Sequence, residues 1–430
     1  MTNFRLTIIA WGFLLIGVLS VGIAVGQEDA RPRRILPSDI NESPPETFQS
    51  LDSDSTWQRF GQLRDDWAAS GLAVSGAFIW DGSQNFRGGI DTERAISRYL
   101  LNIGLSADLE ELFGWRGASA FVDFQHHDGT LGDTIVGDFQ VFSNIDAPRR
   151  TQIPRAWLQT HWLDDRLRIK AGKIDANTEF AYTLSGGTFL NSSMGFSPTI
   201  FVMPTYPDPA GGLIAEWNSS DVWQARIGVF DGVGATGVPT GSRLPTTLLN
   251  DFKDLFTIFE VDRNWGNQAD GTLGRVAVGG WYHNGDFDRF DGARQSGTAG
   301  WFAAADQWLW NEGDCETHSS QGIAAFAQIG GADDRVSQAK THWGLGLTWT
   351  GALETRDRDV FGVGVSGVEF TRQGGAGLTA SREVATEVFY QLMLPRGWNI
   401  TADLQAITNP GGIGFRSDAL VSTLRITREF

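Results

Sequence analysis

One period governs this chain from about residue 70 to its last residue. Side chains alternate apolar and polar, segment after segment. WNITADLQAI, residues 398–407, sets Trp398, Ile400, Ala402, Leu404 and Ala406 on one face and Asn399, Thr401, Asp403 and Gln405 on the other. Alternation with period two marks a strand with one greasy and one wet face. HWGLGLTWT repeats the pattern, with Trp343, Leu345, Leu347 and Trp349 opposite His342, Gly344, Gly346, Thr348 and Thr350. YLLNIGLSA (99–107) and WQARIGVF (223–230) follow suit, and no convincing long helix interrupts the series. The fold question becomes which solvent each face meets.

Bulk numbers narrow the answer. The 34 basic and 51 acidic residues leave a net charge of −17, which argues against a nucleic-acid partner. A mean hydropathy of −0.18 looks soluble, but a membrane barrel averages to neutral because it alternates. The chain has 17 Trp, 28 Phe and 53 Gly without a Gly-X-Y period, which fits many turns and closely approaching strands. Cys315 is a single cysteine, so it offers neither a disulfide nor a zinc site.

Residues 6–27 carry no charge, and Ala24 and Gly26 are the small residues a signal peptidase needs. We read 1–26 as a signal peptide cleaved before Gln27; an uncleaved apolar helix is the alternative. Either way the rest of the chain leaves the cytoplasm. Residues 27–56, rich in Pro, Ser, Asp and Glu, read as a disordered polar linker. Residues 57–70 suggest one short helix before the first strand.

The connections are lopsided. WLDDRL (162–167), NSSDVW (218–223) and LPRGW (394–398) are tight hairpins, whereas 128–153, 175–210 and 231–253 are long. Short turns on one side and long loops on the other characterise an outer-membrane barrel. If the tight turns are periplasmic, parity fails between residues 274 and 321 unless WFAAADQWLW (301–310) is a strand. Including it gives about sixteen strands and puts both termini on the short-turn side. We therefore expect an all-β transmembrane antiparallel barrel over 57–430, with short periplasmic turns and long external loops. On this reading Leu345 and Leu347 face hydrocarbon, Trp343 and Trp349 sit in the interfacial girdles, and His342, Gly344, Gly346 and Thr348 face a water-filled lumen. The alternating C-terminal strand ends on Phe430, which resembles the signal read by the barrel-assembly machinery.

Five segments stand out: DLEELFGWRGASAFVDF (108–124), GDFQVFSNIDAPRRTQIPRAWLQ (137–159), RLRIKAGKIDANTEFAYTLSGGTFLNSSMGFSPTI (166–200), YPDPAGGLIAEW (206–217) and EVATEVFYQLMLPRGWNITADLQAITNPGG (383–412). In these segments the chain resembles the carbohydrate-selective outer-membrane porins of the OprB type. The resemblance implies a sixteen-stranded porin that admits small neutral sugars by facilitated diffusion, without covalent chemistry or cofactor. Outer-membrane lipid surrounds such a barrel, and both a monomer and a homotrimer are open as assemblies.

Other motifs lead nowhere. GVGATG (232–237) and GVGVSG (362–367) fit a dinucleotide fingerprint, but Pro239 and Pro245 forbid the required helix after the first, and the second lies inside a strand. DFDRFDG (286–292) misplaces its glycine for a calcium loop and reads as a solvated acidic loop, a surface divalent ion being the alternative. The six His residues form no metal pair, and no Gly-x-Ser-x-Gly elbow supports a hydrolase.

For the solute path, Arg166, Arg168 and Lys170 alternate with Leu167, Ile169 and Ala171, as a basic ladder or a generic polar wall would. Asp123, Glu216, Asp175 and Glu179 supply opposite charge, and Trp157 and Phe180 an aromatic face for sugar C–H groups. The loop 175–210 holds Phe180, Tyr182, Phe189, Met194, Phe196, Ile200 and Phe201, too many apolar groups to leave in water. We expect it inside the lumen, with Asp175, Glu179 and Asn191 facing Arg168 and Lys170; an external lid is the alternative. The competing functions are a general or anion-biased porin and, from another class, a secreted soluble carbohydrate-binding β protein.

Overall fold

The computed structural model describes residue 67 and residues 70–232, 253–266, 273–312 and 321–430. The signal peptide, the linker, Cys315 and nearly all of the 57–70 helix expectation lie outside the described residues, as does GVGATG beyond Gly232.

The chain forms β1 (Leu72–Arg87), β2 (Ala95–Asp108), β3 (Ala118–Gly129), β4 (Arg150–Gln152), β5 (Ala156–Trp162) and β6 (Leu167–Ile174). Next come β7 (Ala210–Asn218), β8 (Trp223–Asp231), β9 (Leu255–Trp265), β10 (Gly274–Asp288), β11 (Arg294–Asn311) and β12 (Gly322–Ala332). β13 (Ala339–Thr350), β14 (Val360–Phe370), β15 (Arg382–Leu394), β16 (Trp398–Thr408) and β17 (Ala419–Glu429) complete the series. Helical turns are small: α1 (Leu109–Phe113) and α2 (Ser192–Gly195). Each strand pairs antiparallel with its sequence neighbour, and β1 also pairs with β17, so the sheet closes. β4 and β5 both pair with β3 and are halves of one strand interrupted around Pro154, which leaves sixteen strands in the barrel. The segment that parity demanded, 301–310, lies within β11.

Turn chemistry follows the sequence. Between β15 and β16, Arg396 (φ 65°) and Gly397 (φ 70°) both take the left-handed conformation that matches strand twist in a tight hairpin. Leu163, Asp164 and Asp165 do the same between β5 and β6, helped by two residues whose short polar side chains tolerate it. Both turns lie at the end of the barrel where β1 begins and β17 ends.

Outward faces are greasy and exposed: Leu345 is 51% and Leu347 43% accessible in β13. The opposite face of β13 corrects an expectation. His342 does not meet water but is fully buried, its Nδ1 3.1 Å from Ser197 Oγ and its Nε2 2.9 Å from Ser366 Oγ. Ser197 belongs to the connection between β6 and β7, so part of the lumen is filled by protein. The GVGVSG glycines serve this filling. A Cβ on Gly362 would lie 2.2 Å from the Phe389 ring, and one on Gly364 2.8 Å from the Phe189 ring. They seat aromatic rings rather than a nucleotide.

Candidate functional site

Register brings the inward side chains of neighbouring strands together. Phe121 of β3 stands opposite Trp157 of β5, and the rings stack with centroids 5.4 Å apart at 29°. Arg155 lies over Phe121, guanidinium carbon to ring centre 4.9 Å, and Lys170 Nζ sits 3.8 Å from the Trp157 centre. Asp123 fixes Arg155 by accepting from its Nε at 2.9 Å and Nη2 at 2.8 Å. The result is a stacked aromatic pair with a held cation at each side.

A belt of alternating charge continues round the wall. Arg168 (β6) faces Glu216 (β7), which faces Arg226 (β8), which faces Glu260 (β9). Arg275 of β10 donates to Glu260 at 2.8 Å and to Asp262 at 2.8 Å, and Arg226 pairs with both carboxylates. Cross-strand opposite charges of this kind stabilise register, and burial makes each partner costly to remove.

Glu179 joins the belt from the connection 175–209. Its carboxylate accepts from Arg168 Nη2 at 2.6 Å and from Lys170 Nζ at 2.6 Å, while Arg168 also donates to Glu216 at 2.7 Å. Burial works to raise the Glu179 carboxyl, but the charges of Lys170 and Arg168 outweigh it and hold the group well below the ordinary carboxylate range. For a depressed acid, the stabilisation is complete above the unfolded value, about 4.3, and fades only as pH falls toward the folded one. Glu179 is therefore expected to stay ionised from pH 8 to pH 5 and to contribute no change in ion selectivity over that range. Reversal potentials of the wild type and of Glu179→Gln across planar bilayers check this. The difference between them should be the same at pH 8 and pH 5, and a difference that shrinks on acidification would show Glu179 titrating.

The 175–209 connection lies inside the barrel, pinned by wall carboxylates that accept its backbone N–H groups. Glu260 accepts from Ala181 at 2.7 Å, Asp306 from Leu184 at 2.8 Å, and Glu387 from Leu190 at 2.6 Å and Asn191 at 3.0 Å. Phe189 packs edge-on between Phe326 and Phe389, centroids 5.5 and 4.9 Å away. A second inward connection, 130–149, was not foreseen. Glu383 accepts from Phe139 N at 2.8 Å and Gln140 N at 2.9 Å, and Ser143 Oγ donates to Asp81 at 2.7 Å. The two connections bond to each other, Asn144 N to Leu190 O at 2.7 Å and Ser192 N to Val141 O at 3.0 Å.

The nominated residues divide accordingly. Arg168, Lys170, Glu179, Glu216, Trp157 and Asp123 come together on the wall of β3 to β7. Arg166 does not: it is exposed in the turn between β5 and β6, beyond the inner face, so the basic ladder has two rungs and both are paired. Phe180 is fully buried in a core cluster, edge-on to Phe230 at 6.4 Å, and presents no face to the lumen. Asp175 holds its own loop, accepting from Thr205 Oγ1 at 2.6 Å and Tyr206 N at 3.2 Å, and burial pushes its carboxyl up. Asn191 stands at the opposite wall and donates to Gln405 Oε1 at 3.0 Å. Phe121, which supplies the second aromatic ring, was missed although it shares a face with Asp123 two residues on. The segment 286–292 is a solvated loop only in part: residues 286–288 end β10 and Phe287 is buried, while the carboxylates of Asp288 and Asp291 pair with Arg294 and Arg289 at 3.2 and 2.5 Å. Among the described residues no cluster of His, Cys, Asp and Glu could hold a metal.

A closed barrel of sixteen strands, greasy outside and charged inside, with loops folded into its lumen, is an outer-membrane porin. The family model described as carbohydrate-selective porin, OprB family, matches residues 92–430, and the chain belongs to that family. Its function is accordingly the sugar-selective passage of solutes across the outer membrane. Porin B of Pseudomonas aeruginosa is 20% identical over 433 residues, spanning 89% of this chain and 93% of that protein. The high pH structure of Pseudomonas putida OprB superposes with a TM-score of 0.77 at 18% identity, covering 89% of this chain and all of the other. Its low pH counterpart gives 0.57 at 16% identity over the same share.

Proposed function

We propose that small neutral sugars cross along the wall of β3 to β6, and that the stacked pair Phe121–Trp157 is where they are recognised. The inner faces of β8 to β16 are largely covered by the two inward connections, whereas Asn102, Phe121, Trp157, Gln159 and His161 remain partly exposed. A sugar ring offers C–H groups to an aromatic surface and hydroxyls to fixed donors and acceptors. Arg155 held by Asp123, and Lys170 held by Glu179, are such groups, and their pairing leaves little net field to attract anions. This pairing disfavours the anion-biased reading. Each contact is weak and several lie in series, which lets a solute leave as readily as it enters.

The observation that carries the proposal is the aromatic pair with a paired cation on either side. Trp157→Ala is expected to reduce sugar entry in liposome swelling while leaving small inorganic ion conductance equal or higher. If sugar entry rises in step with conductance, the pair is only filling space. Export through a signal peptide cleaved before Gln27 is supported by the charge-free run that precedes it. Recognition of the C-terminus by the barrel-assembly machinery is supported by Phe430, exposed beside Gly76 with backbone bonds of 2.9 and 3.0 Å to it.

A further inference from the structure

We infer that the outer wall of β8 to β10, at the short-turn end, binds one glycerophospholipid of the periplasmic leaflet through Arg263. Arg263 alternates with buried Asp262 and shares its outward face with exposed Val261 and Phe259. Register sets it between Trp223 of β8 and Val276 of β10. Its guanidinium carbon lies 6.0 Å from the Trp223 ring centre and 5.7 Å from that of Trp265. The inward cations Arg168, Lys170, Arg226 and Arg275 all have carboxylates; among the described residues Arg263 has none.

An arginine on the lipid face is tolerated near the headgroup level, where phosphate oxygens can pair with it, and not at mid-membrane. The two flanking indoles mark that level, as interfacial aromatics do. Toward the membrane centre the wall thins: Val261 pairs with Ala225 on one side and with Val278 on the other. These small side chains leave a groove of about 380 Å³, lined by Trp223, Arg263, Trp265 and three valines. Phe259 lies on the same face four residues from Arg263, roughly 13 Å along the strand toward the membrane centre. A phosphate gripped by the planar guanidinium at the level of the indoles, and an acyl chain running over the valines toward the membrane centre, fit this order of surfaces. The short-turn end fixes the leaflet as periplasmic.

Native mass spectrometry of the full chain in detergent tests the assignment, with phosphatidylglycerol titrated against diacylglycerol of the same chains. The wild type is expected to retain one phosphatidylglycerol and to release diacylglycerol. Arg263→Ala should weaken retention about tenfold, the loss of one charge-assisted contact, while Arg294→Ala at the external end behaves as wild type. Heat-dependent electrophoretic mobility confirms that each variant is folded. Equal retention by Arg263→Ala, or equal retention of diacylglycerol, overturns the proposal. So does an Arg263→Ala variant that keeps its lipid but loses dimers or trimers, since the patch then belongs to a second copy.

Discussion

Exchanging Glu179 for glutamine is expected to make the channel anion-selective and to cost about 3–5 kcal/mol of stability, the usual result of stripping one partner from a buried ion pair. Glu179 is the shared acceptor of Arg168 and Lys170, and its removal leaves Lys170 without its 2.6 Å carboxylate contact. Arg168 keeps Glu216, so the loss falls mainly on Lys170. Reversal potentials in a KCl gradient should move to the chloride side, and thermal unfolding should shift downward. The double exchange Glu179→Gln with Lys170→Met removes the surplus charge, and the reversal potential should return. A Glu179→Gln channel with unchanged selectivity would place the ion path away from this wall.

Deleting residues 183–196 should raise single-channel conductance several-fold and abolish discrimination among solutes. The segment carries Phe189 and Met194, both buried against the far wall, and the backbone groups held by Asp306, Glu387 and Gln328. Its loss also withdraws backbone partners of the 130–149 connection, whose Asn144 N–H donates to Leu190 O. Planar bilayer recordings and swelling with sugars of graded size measure both effects. An inserted barrel of unchanged conductance would locate the constriction elsewhere.

Strand order was legible because period two and turn lengths are local properties. Parity alone demanded a strand at 301–310, and β11 is there. What the sequence withheld was the far end of each long-range contact. Nothing near Asn191 reveals that Gln405 lies across the barrel, so a polar side chain in the right loop was assigned to the wrong wall. Phe180 failed for a related reason: an aromatic in an inward loop points to the lumen or to the wall depending on the loop's path, and this one joins Phe230 and Phe256. The 130–149 connection was readable but unread. Ile135, Val136, Phe142 and Ile145 are as unfit for water as the aromatics of 175–209, and all four are buried. Arg166 shows the limit of alternation itself, which sets the face of a residue but not where the strand begins.

A charge-balanced, aromatic-lined path is expected to prefer neutral sugars to charged solutes of the same size. Liposome swelling with the reconstituted full chain tests it, using sugars, amino acids and organic anions of matched size. Faster swelling with sugars than with either other class is the predicted result; equal rates for all three would contradict it while leaving the barrel intact.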